Sequence, residues 1–184
     1  MSQTIPPLFH SFESGEPFDR CIECERKLEH DCEYVIEKAM KTYEGYSAKD
    51  VVFDYAICIE CANRIRESFS KESLEAIDKY FANVVPRPAT QLLDNTGQFD
   101  VEKCVQQCLI TGKPLEQLKE YQVYAHCRGK SLQRQVPPYM VSNEAVEQLM
   151  PLLSAKTNDI LDDFFQRHFS PDPSIFNPLP RLII

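Results

Sequence analysis

Apolar and polar positions change period in the first half of the chain. Residues 51–57 form a β-rich apolar run that leads directly into a Cys-x2-Cys pair. From Cys58 onward the apolar spacing becomes helical, and Cys61 and Ile65 fall along one face. Ser70 then stands where the N-cap of a second helix is expected. The pattern predicts a strand followed by two helices.

The pattern of residues 33–43 is less decisive. Tyr34, Ile36 and Lys38 lie on one side of a period of two, which predicts a strand. Helical spacing is also met, by Val35, Ile36, Ala39, Met40 and Tyr43. A helix therefore stays open as the alternative for this segment.

The second half repeats the apolar pattern of the first. Residues 21–36 align with residues 108–123 at a spacing of 87, and residues 55–81 align with residues 139–165 at a spacing of 84. The difference implies a three-residue deletion in the connecting loop of the second copy. We interpret the two halves as copies of one supersecondary unit. The alternative is that two amphipathic helices look alike by chance.

The predicted fold class is α+β, in which each copy is a β-hairpin followed by helices. We expect a first copy over residues 1–88, a linker over 89–103, a second copy over 104–170 and a proline-spaced tail over 171–184. The halves are expected to pack through their helices.

Helix boundaries in the second copy follow from three residues. Ser142 and Thr157 are candidate N-caps, because short hydroxyl side chains accept hydrogen bonds from free amides of a first helical turn. Pro151 is expected to end or kink the first of the two helices, since it has no amide hydrogen to donate.

Two Cys-x2-Cys pairs predict a metal site in the first copy. Cys21 and Cys24 are separated from Cys58 and Cys61 by 33 residues. Two residues between paired cysteines let one tight turn direct both sulfurs at a single ion, and two such pairs complete the tetrahedral shell of zinc. The alternative is a set of ordinary buried thiols. We predict one structural zinc ion, because a closed shell of four thiolates leaves no position for a reactive water.

The second copy lacks this ligand set. In the alignment Cys24 becomes Thr111, Cys58 becomes Ser142 and Cys61 becomes Ala145, so that only the counterpart of Cys21 remains a cysteine. One thiolate does not hold zinc. We therefore expect the second copy to be free of metal and to be held by its apolar core.

Charge and length limit the functional classes. The 184 residues carry a net charge of −8, and neither half is basic: residues 1–90 hold 11 Lys and Arg against 17 Asp and Glu, and residues 91–184 hold 9 against 11. Nucleic-acid binders usually show a basic surface. Neither a membrane-spanning apolar run nor a secretory signal is recognised, so we expect a cytoplasmic protein whose eight cysteines are thiols or metal ligands.

Residues 55–65, YAICIECANRI, resemble the second half of treble-clef zinc modules, including the zinc-binding domain at the N-terminus of the Clp protease unfoldase. That resemblance covers about 45 residues and implies a treble-clef-like unit with docking of other proteins. Cys58, Cys61 and Asn63 are also similar to the end of zinc-bearing HNH nucleases. Nuclease chemistry would need histidines on the preceding hairpin, and only His30 lies between the two pairs.

Weaker candidates are a second metal site and a hydrolytic cleft. Four residues of the second half offer ligand atoms, namely Cys104, Cys108, His126 and Cys127. Core or surface thiols are the favoured interpretation of the cysteines. A hydrolase would need a cleft between the copies lined by His30, Cys32 or His126 with carboxylates nearby.

The function expected from the sequence is non-enzymatic binding of another protein as an interaction or adaptor module. Nucleic-acid binding is the alternative, and it would need a basic patch formed by Arg20, Arg26, Lys27, Arg64 and Arg66. Less expected are an HNH-like nuclease and another hydrolase. The partner, the pathway and the oligomeric state do not follow from the sequence.

Overall fold

The protein is described from a computed structural model over residues 2–45, 49–82, 84 and 87–169. The predicted tail over residues 171–184 lies outside this part of the chain. The order of strands and α-helices is β1 (Glu33–Thr42), β2 (Lys49–Cys58), α1 (Ile59–Glu67), α2 (Lys71–Phe81), α3 (Val101–Cys104), β3 (Glu120–Arg128), β4 (Ser131–Leu132), β5 (Tyr139–Ser142), α4 (Asn143–Leu149) and α5 (Ala155–Phe169). The α+β class is confirmed, and the helical alternative for residues 33–43 is wrong.

One antiparallel sheet runs through both halves of the chain. Its order is β2-β1-β3-β4, and β5 pairs with β3 beside the short β4. Strands β1 and β3 are central and pair over nine residues, from Glu33 opposite Arg128 to Lys41 opposite Glu120. The halves are thus joined by backbone hydrogen bonds as well as by helices. The domain boundaries predicted from the sequence stay predictions.

Residues of both central strands are buried on both faces. On one face β1 places Glu37 beside Tyr55 of β2 and Tyr124 of β3. The Glu37 carboxylate accepts a hydrogen bond from the Tyr55 hydroxyl, and the Tyr124 hydroxyl lies 3.3 Å from it. These hydrogen bonds satisfy a carboxylate that would otherwise be costly to bury.

The opposite face of β1 is covered by the N-terminal segment. Lys38 is 5% exposed, donates a hydrogen bond to the carbonyl of His10 and forms an ion pair with Asp54 at 3.4 Å. The amide of Phe12 donates to the same Asp54 carboxylate over 2.7 Å. Phe9 in the same segment is fully buried. The segment is therefore an integral layer of the fold.

The helix boundaries follow the capping residues. Ser70 caps α2, and its hydroxyl accepts a hydrogen bond from the amide of Ser73. Ser142 caps α4, as predicted, and that helix ends at Leu149 before Pro151. The predicted cap at Thr157 is wrong, because α5 begins at Ala155 and Thr157 lies in its first turn.

The first turns of α2 and α5 hold each other. The amide of Ser70 donates to Thr157 Oγ1 over 3.1 Å, and the amide of Ser154 donates to Ser73 Oγ over 2.9 Å. Ser73 and Thr157 are both fully buried, and their hydroxyls satisfy amides at the start of the opposite helix. Ser154 and Thr157 are the residues 84 positions after Ser70 and Ser73, so the two contacts are equivalent. Helices α2 and α5 therefore occupy equivalent positions.

Contacts near the two hairpins recur in the same way. The amide of Ile22 donates to Ala56 O over 2.9 Å, and the amide of Leu109 donates to Met140 O over 2.7 Å. In the centre of the sheet, Glu37 pairs with Tyr124, the residue that lies 87 positions later. These recurrences agree with the predicted repeat, and its origin by duplication stays a prediction. Within the described residues, no helix combines the length and apolar character needed to cross a membrane.

Candidate metal centre

The first cysteine pair lies on a tight turn ahead of β1. The amide of Cys21 donates to Arg26 O and the amide of Glu25 donates to Cys21 O, both over 2.9 Å. Glu25 has φ = 57°, the left-handed conformation that glycine adopts without cost. The turn directs the side chains of Cys21 and Cys24 toward the end of β2.

The second pair lies where β2 passes into α1. Cys58 is the last residue of the strand and the N-cap of the helix, and Cys61 is in the first helical turn. The free amides of a first helical turn and the positive end of the helix dipole favour negative charge at this position. The local structure suits thiolates.

The four predicted ligands come together. The Sγ atoms of Cys21, Cys24, Cys58 and Cys61 all lie within 4.8 Å of one another. The Cys24 and Cys58 sulfurs are 3.9 Å apart. A tetrahedral zinc ion with Zn–S distances of about 2.3 Å holds its sulfurs about 3.8 Å apart. The donor set and its spacing therefore fit one tetrahedral metal ion.

Burial and hydrogen bonds shift the pKa values of three of these thiols in different directions. Burial raises the pKa of Cys58 and, more strongly, that of Cys61. Burial opposes the charged form of Cys24 too, but hydrogen bonds from the Arg26 backbone and the neighbouring thiols lower its pKa. Cys24 is also the exposed member of the group. In a reduced, metal-free chain the burial of Cys58 and Cys61 favours thiols, so binding a metal there would release protons.

A hydrogen bond from the backbone supports one of the sulfurs. The amide of Cys58 donates to Cys21 Sγ over 3.3 Å and so joins the two pairs directly. Such contacts orient a ligand and partly offset the charge of a thiolate.

Basic residues around the site are engaged with acids. Arg26 and Glu60 form an ion pair at 2.7 Å beside the cysteines, and hydrogen bonding to that carboxylate raises the pKa of Arg26. Arg66 pairs with Asp78 at 3.1 Å. Two further pairs are Arg20–Asp19 and Lys27–Glu29. Four of the five basic residues proposed for a nucleic-acid surface thus have acidic neighbours.

Glu23, between the first two cysteines, contacts the last helix. Its Oε1 accepts a hydrogen bond from Arg167 Nη1 at 2.9 Å, and its Oε2 lies 2.6 Å from His168 Nε2. Partial burial acts to raise the pKa of Glu23, but the contacts with His168 and Arg167 lower it. This link escaped the sequence analysis, because no local pattern connects residues about 145 positions apart.

The corresponding position in the second half is a hydrogen-bonded thiol. Cys108 Sγ accepts from the amide of Ser142 at 3.2 Å, from the Ser142 hydroxyl at 3.3 Å and from the amide of Thr111 at 3.4 Å. Burial opposes ionisation, but these donors lower the pKa of Cys108. The ion pair of this half, Lys113–Glu144 at 2.5 Å, corresponds to Arg26–Glu60.

The weaker candidates are not assembled into a comparable site. Among the described residues, the cysteine tetrad of the first half is the one group of three or more potential ligands close enough to share an ion, so Cys104, Cys108, His126 and Cys127 do not form a second one. That the second half binds no metal stays a prediction.

Two of the residues named for hydrolysis line separate clefts. Cys32 lines a cleft of about 520 Å³ with Asp31 and Glu60, and His126 lines one of about 380 Å³. Glu33 borders both clefts, and it accepts a hydrogen bond from Arg128 Nε at 3.1 Å. Within the described part of the chain, His30, Cys32 and His126 form no hydrogen bond with one another.

Comparisons with protein-family models, with curated proteins and with solved structures found no significant match to this chain. The resemblance to treble-clef modules therefore rests on the cysteine spacing and on the placement of the second pair at the start of a helix.

Proposed function

We propose that this protein binds one structural zinc ion and acts, without enzymatic activity, as a protein-interaction or adaptor module in the cytoplasm. The observation that carries the proposal is the convergence of four Sγ atoms within 4.8 Å of one another. Four thiolates are typical of structural zinc and fill its shell, so the metal contributes folding energy instead of a reactive water.

Zinc would connect segments that are distant in the chain. Cys21 and Cys24 precede β1, whereas Cys58 ends β2 and Cys61 belongs to α1. Closing this loop of 33 residues with metal restricts the unfolded chain, as a covalent crosslink does. Through Glu23 the same turn also meets α5. The ion would therefore stabilise the junction between the hairpin and the last helix.

Electrostatics favour a protein partner over nucleic acid. The net charge of −8 repels a phosphate backbone, and the acidic neighbours of Arg20, Arg26, Lys27 and Arg66 reduce the local positive potential. The treble-clef resemblance, which implies docking of other proteins, points the same way.

Affinity capture with and without nuclease tests the proposal. Zinc-loaded full-length protein is used as bait, and captured proteins are quantified before and after digestion of DNA and RNA. We expect a defined set of proteins to persist after digestion. Loss of that set on digestion, together with steeply salt-dependent binding to oligonucleotides, would contradict the proposal and favour the nucleic-acid alternative.

A further inference from the structure

An apolar cavity of about 220 Å³ lies beside the first residue of β5. Its walls come from Val84 and Arg87, from residues in and near α3 and from the loop that leads into β5. The main apolar lining residues are Val84, Leu92, Leu109, Val136, Pro138 and Tyr139. A cavity of this size accommodates one aromatic side chain.

The equivalent place in the first half is filled by aromatic rings. Tyr55 lies three residues before the N-cap of α1, as Tyr139 does before that of α4. The ring centroids of Phe164 and Phe169 lie 5.6 and 5.7 Å from that of Tyr55. The ring contacts of Tyr139, by comparison, are with Tyr124 and His126 in the neighbouring strand.

The two equivalent helices differ in length. α5 has 15 residues and α2 has 11. The additional last turn of α5 supplies Phe169, whose ring centroid lies 5.5 Å from that of Phe53 and 5.7 Å from that of Tyr55. α2 ends at Phe81, before the position that corresponds to Phe169. The ring that Phe169 places beside Tyr55 thus has no counterpart within α2.

The positively charged side chain of Arg87 lines this cavity. Arg87 Nη2 donates a hydrogen bond to Cys104 O over 2.8 Å, and both residues line the cavity. Among the described residues no carboxylate lies within ion-pair distance of Arg87, whereas Lys103, close by in the chain, pairs with Asp100 at 2.8 Å. Gln107 adds a further polar group to the lining. The site thus offers an apolar pocket next to a guanidinium that has no carboxylate partner in the described part of the chain.

We propose that this cavity is the docking site for a partner protein segment that inserts an aromatic side chain and presents a neighbouring carboxylate to Arg87. The ring would stack in the space beside Tyr139, and the carboxylate would form a charge-assisted hydrogen bond with the guanidinium. A buried aromatic anchor with an arginine contact is the usual composition of a binding hot spot. The proposal rests on the proposed function as an interaction module and names its contact surface.

Titration with a matched pair of peptides tests the proposal. The probes are acetyl-Phe-Glu-amide and acetyl-Phe-Gln-amide, which differ only in the carboxylate, added to zinc-loaded full-length protein and followed by amide chemical shifts. We expect saturable shifts at Leu109 and Tyr139, a Kd of about 1 mM for the Glu peptide and about tenfold weaker binding of the Gln peptide.

Variants of the wall locate the site. Val136→Trp is expected to fill the cavity and to weaken binding of the Glu peptide at least about tenfold, while Arg87→Gln should remove the preference for Glu over Gln. Leu93→Trp is the matched control, because Leu93 lines a different cavity of about 290 Å³, and binding should be unchanged. Val136 and Arg87 are half-buried, so both variants are expected to fold.

Other outcomes overturn the proposal. Absence of saturable shifts, or equal binding by wild type and Val136→Trp, would remove the cavity as a docking site. Tighter probe binding in Phe176→Ala would show that the tail of the same chain competes for the cavity. A molecular mass that falls on dilution would indicate that a second copy of the chain occupies it. If Val136→Trp still captures the protein partners of the wild type, this inference fails while the proposed function stands.

Discussion

Glu23 and His168 lie 145 positions apart in the chain, and Glu23 Oε2 lies 2.6 Å from His168 Nε2. Both side chains are more than four-fifths buried, at 18% and 16% exposure. The contact fastens the turn between Cys21 and Cys24 to the last turn of α5. The turn between Cys21 and Cys24 and helix α5 are therefore expected to open together.

Glu23→Gln tests this connection. Replacing the carboxylate weakens its contacts with both Arg167 and His168, so the free energy of unfolding should fall by about 1–2 kcal/mol in chemical denaturation. Amide exchange at residues 165–169 should accelerate. Asp78→Asn is the control, since the Arg66–Asp78 pair has a 73% exposed carboxylate and should matter little. Equal effects of the two substitutions would refute the connection.

Glu25 and Gly112 occupy equivalent positions in the turns that follow Cys21 and Cys108. We expect substitutions at the two positions to have opposite effects on stability. Their φ angles are 57° and 69°, both in the left-handed region. Glu25→Gly should raise the unfolding free energy of the metal-loaded protein by roughly 0.5–1 kcal/mol, because a side chain is strained there. Gly112→Ala should lower it by about 1 kcal/mol, although a Cβ would meet open space. A loss of stability in Glu25→Gly would contradict this account of the turn.

Gly129 is required by a close approach as well as by its backbone conformation. A Cβ at this position would lie 2.2 Å from the carbonyl oxygen of His30, which itself has φ = 52°. Gly129→Ala should therefore lower the unfolding free energy by about 3 kcal/mol or more. Gly97→Ala separates the two causes, because Gly97 has φ = 76° with nothing within 4 Å, and should cost only about 1 kcal/mol. A similar loss in both variants would show that the approach to His30 is tolerated.

Cys104 predicts a pH dependence at alkaline pH. Burial raises its pKa from 9.0 to about 11. The folded chain therefore favours the thiol, and this contribution is complete below pH 9 and is lost as the pH rises through about 11. As the pH rises from 9 to 11, the free energy of unfolding of Cys104→Ala should fall by up to about 2 kcal/mol less than that of wild type. If the free energies of unfolding of the two proteins change in parallel with pH over that range, the raised pKa of Cys104 is contradicted.

The elements were predictable wherever the local pattern was sufficient. The apolar run of residues 51–57 became part of β2, and the helical spacing after Cys58 became α1. Ser70 and Ser142 were recognisable as caps because their hydroxyls satisfy amides within three residues. The four cysteines that come together were identifiable for the same reason, since the geometry of each pair is fixed by its own turn.

Contacts across the chain were not predictable from the sequence. The choice of strand over helix for residues 33–43 depended on pairing with β3, about 90 positions later, and β1 is buried on both faces. Such burial removes the alternation that marks a strand. The hydrogen bonds of Glu37 were not predictable either, because its partners Tyr55 and Tyr124 lie on other strands. Thr157 was assigned as a cap because its hydroxyl type fits, whereas it serves the opposite helix by accepting from the amide of Ser70.

The cysteines of the first half are expected to form a single metal site. Zinc per chain, measured by elemental analysis on wild type, Cys21→Ser and Cys108→Ser, tests it most directly, because these two cysteines occupy equivalent turns. We predict one zinc per chain in wild type and in Cys108→Ser, with loss of zinc and of cooperative unfolding in Cys21→Ser. Two metal ions in wild type, or zinc lost from Cys108→Ser and kept by Cys21→Ser, would contradict the account.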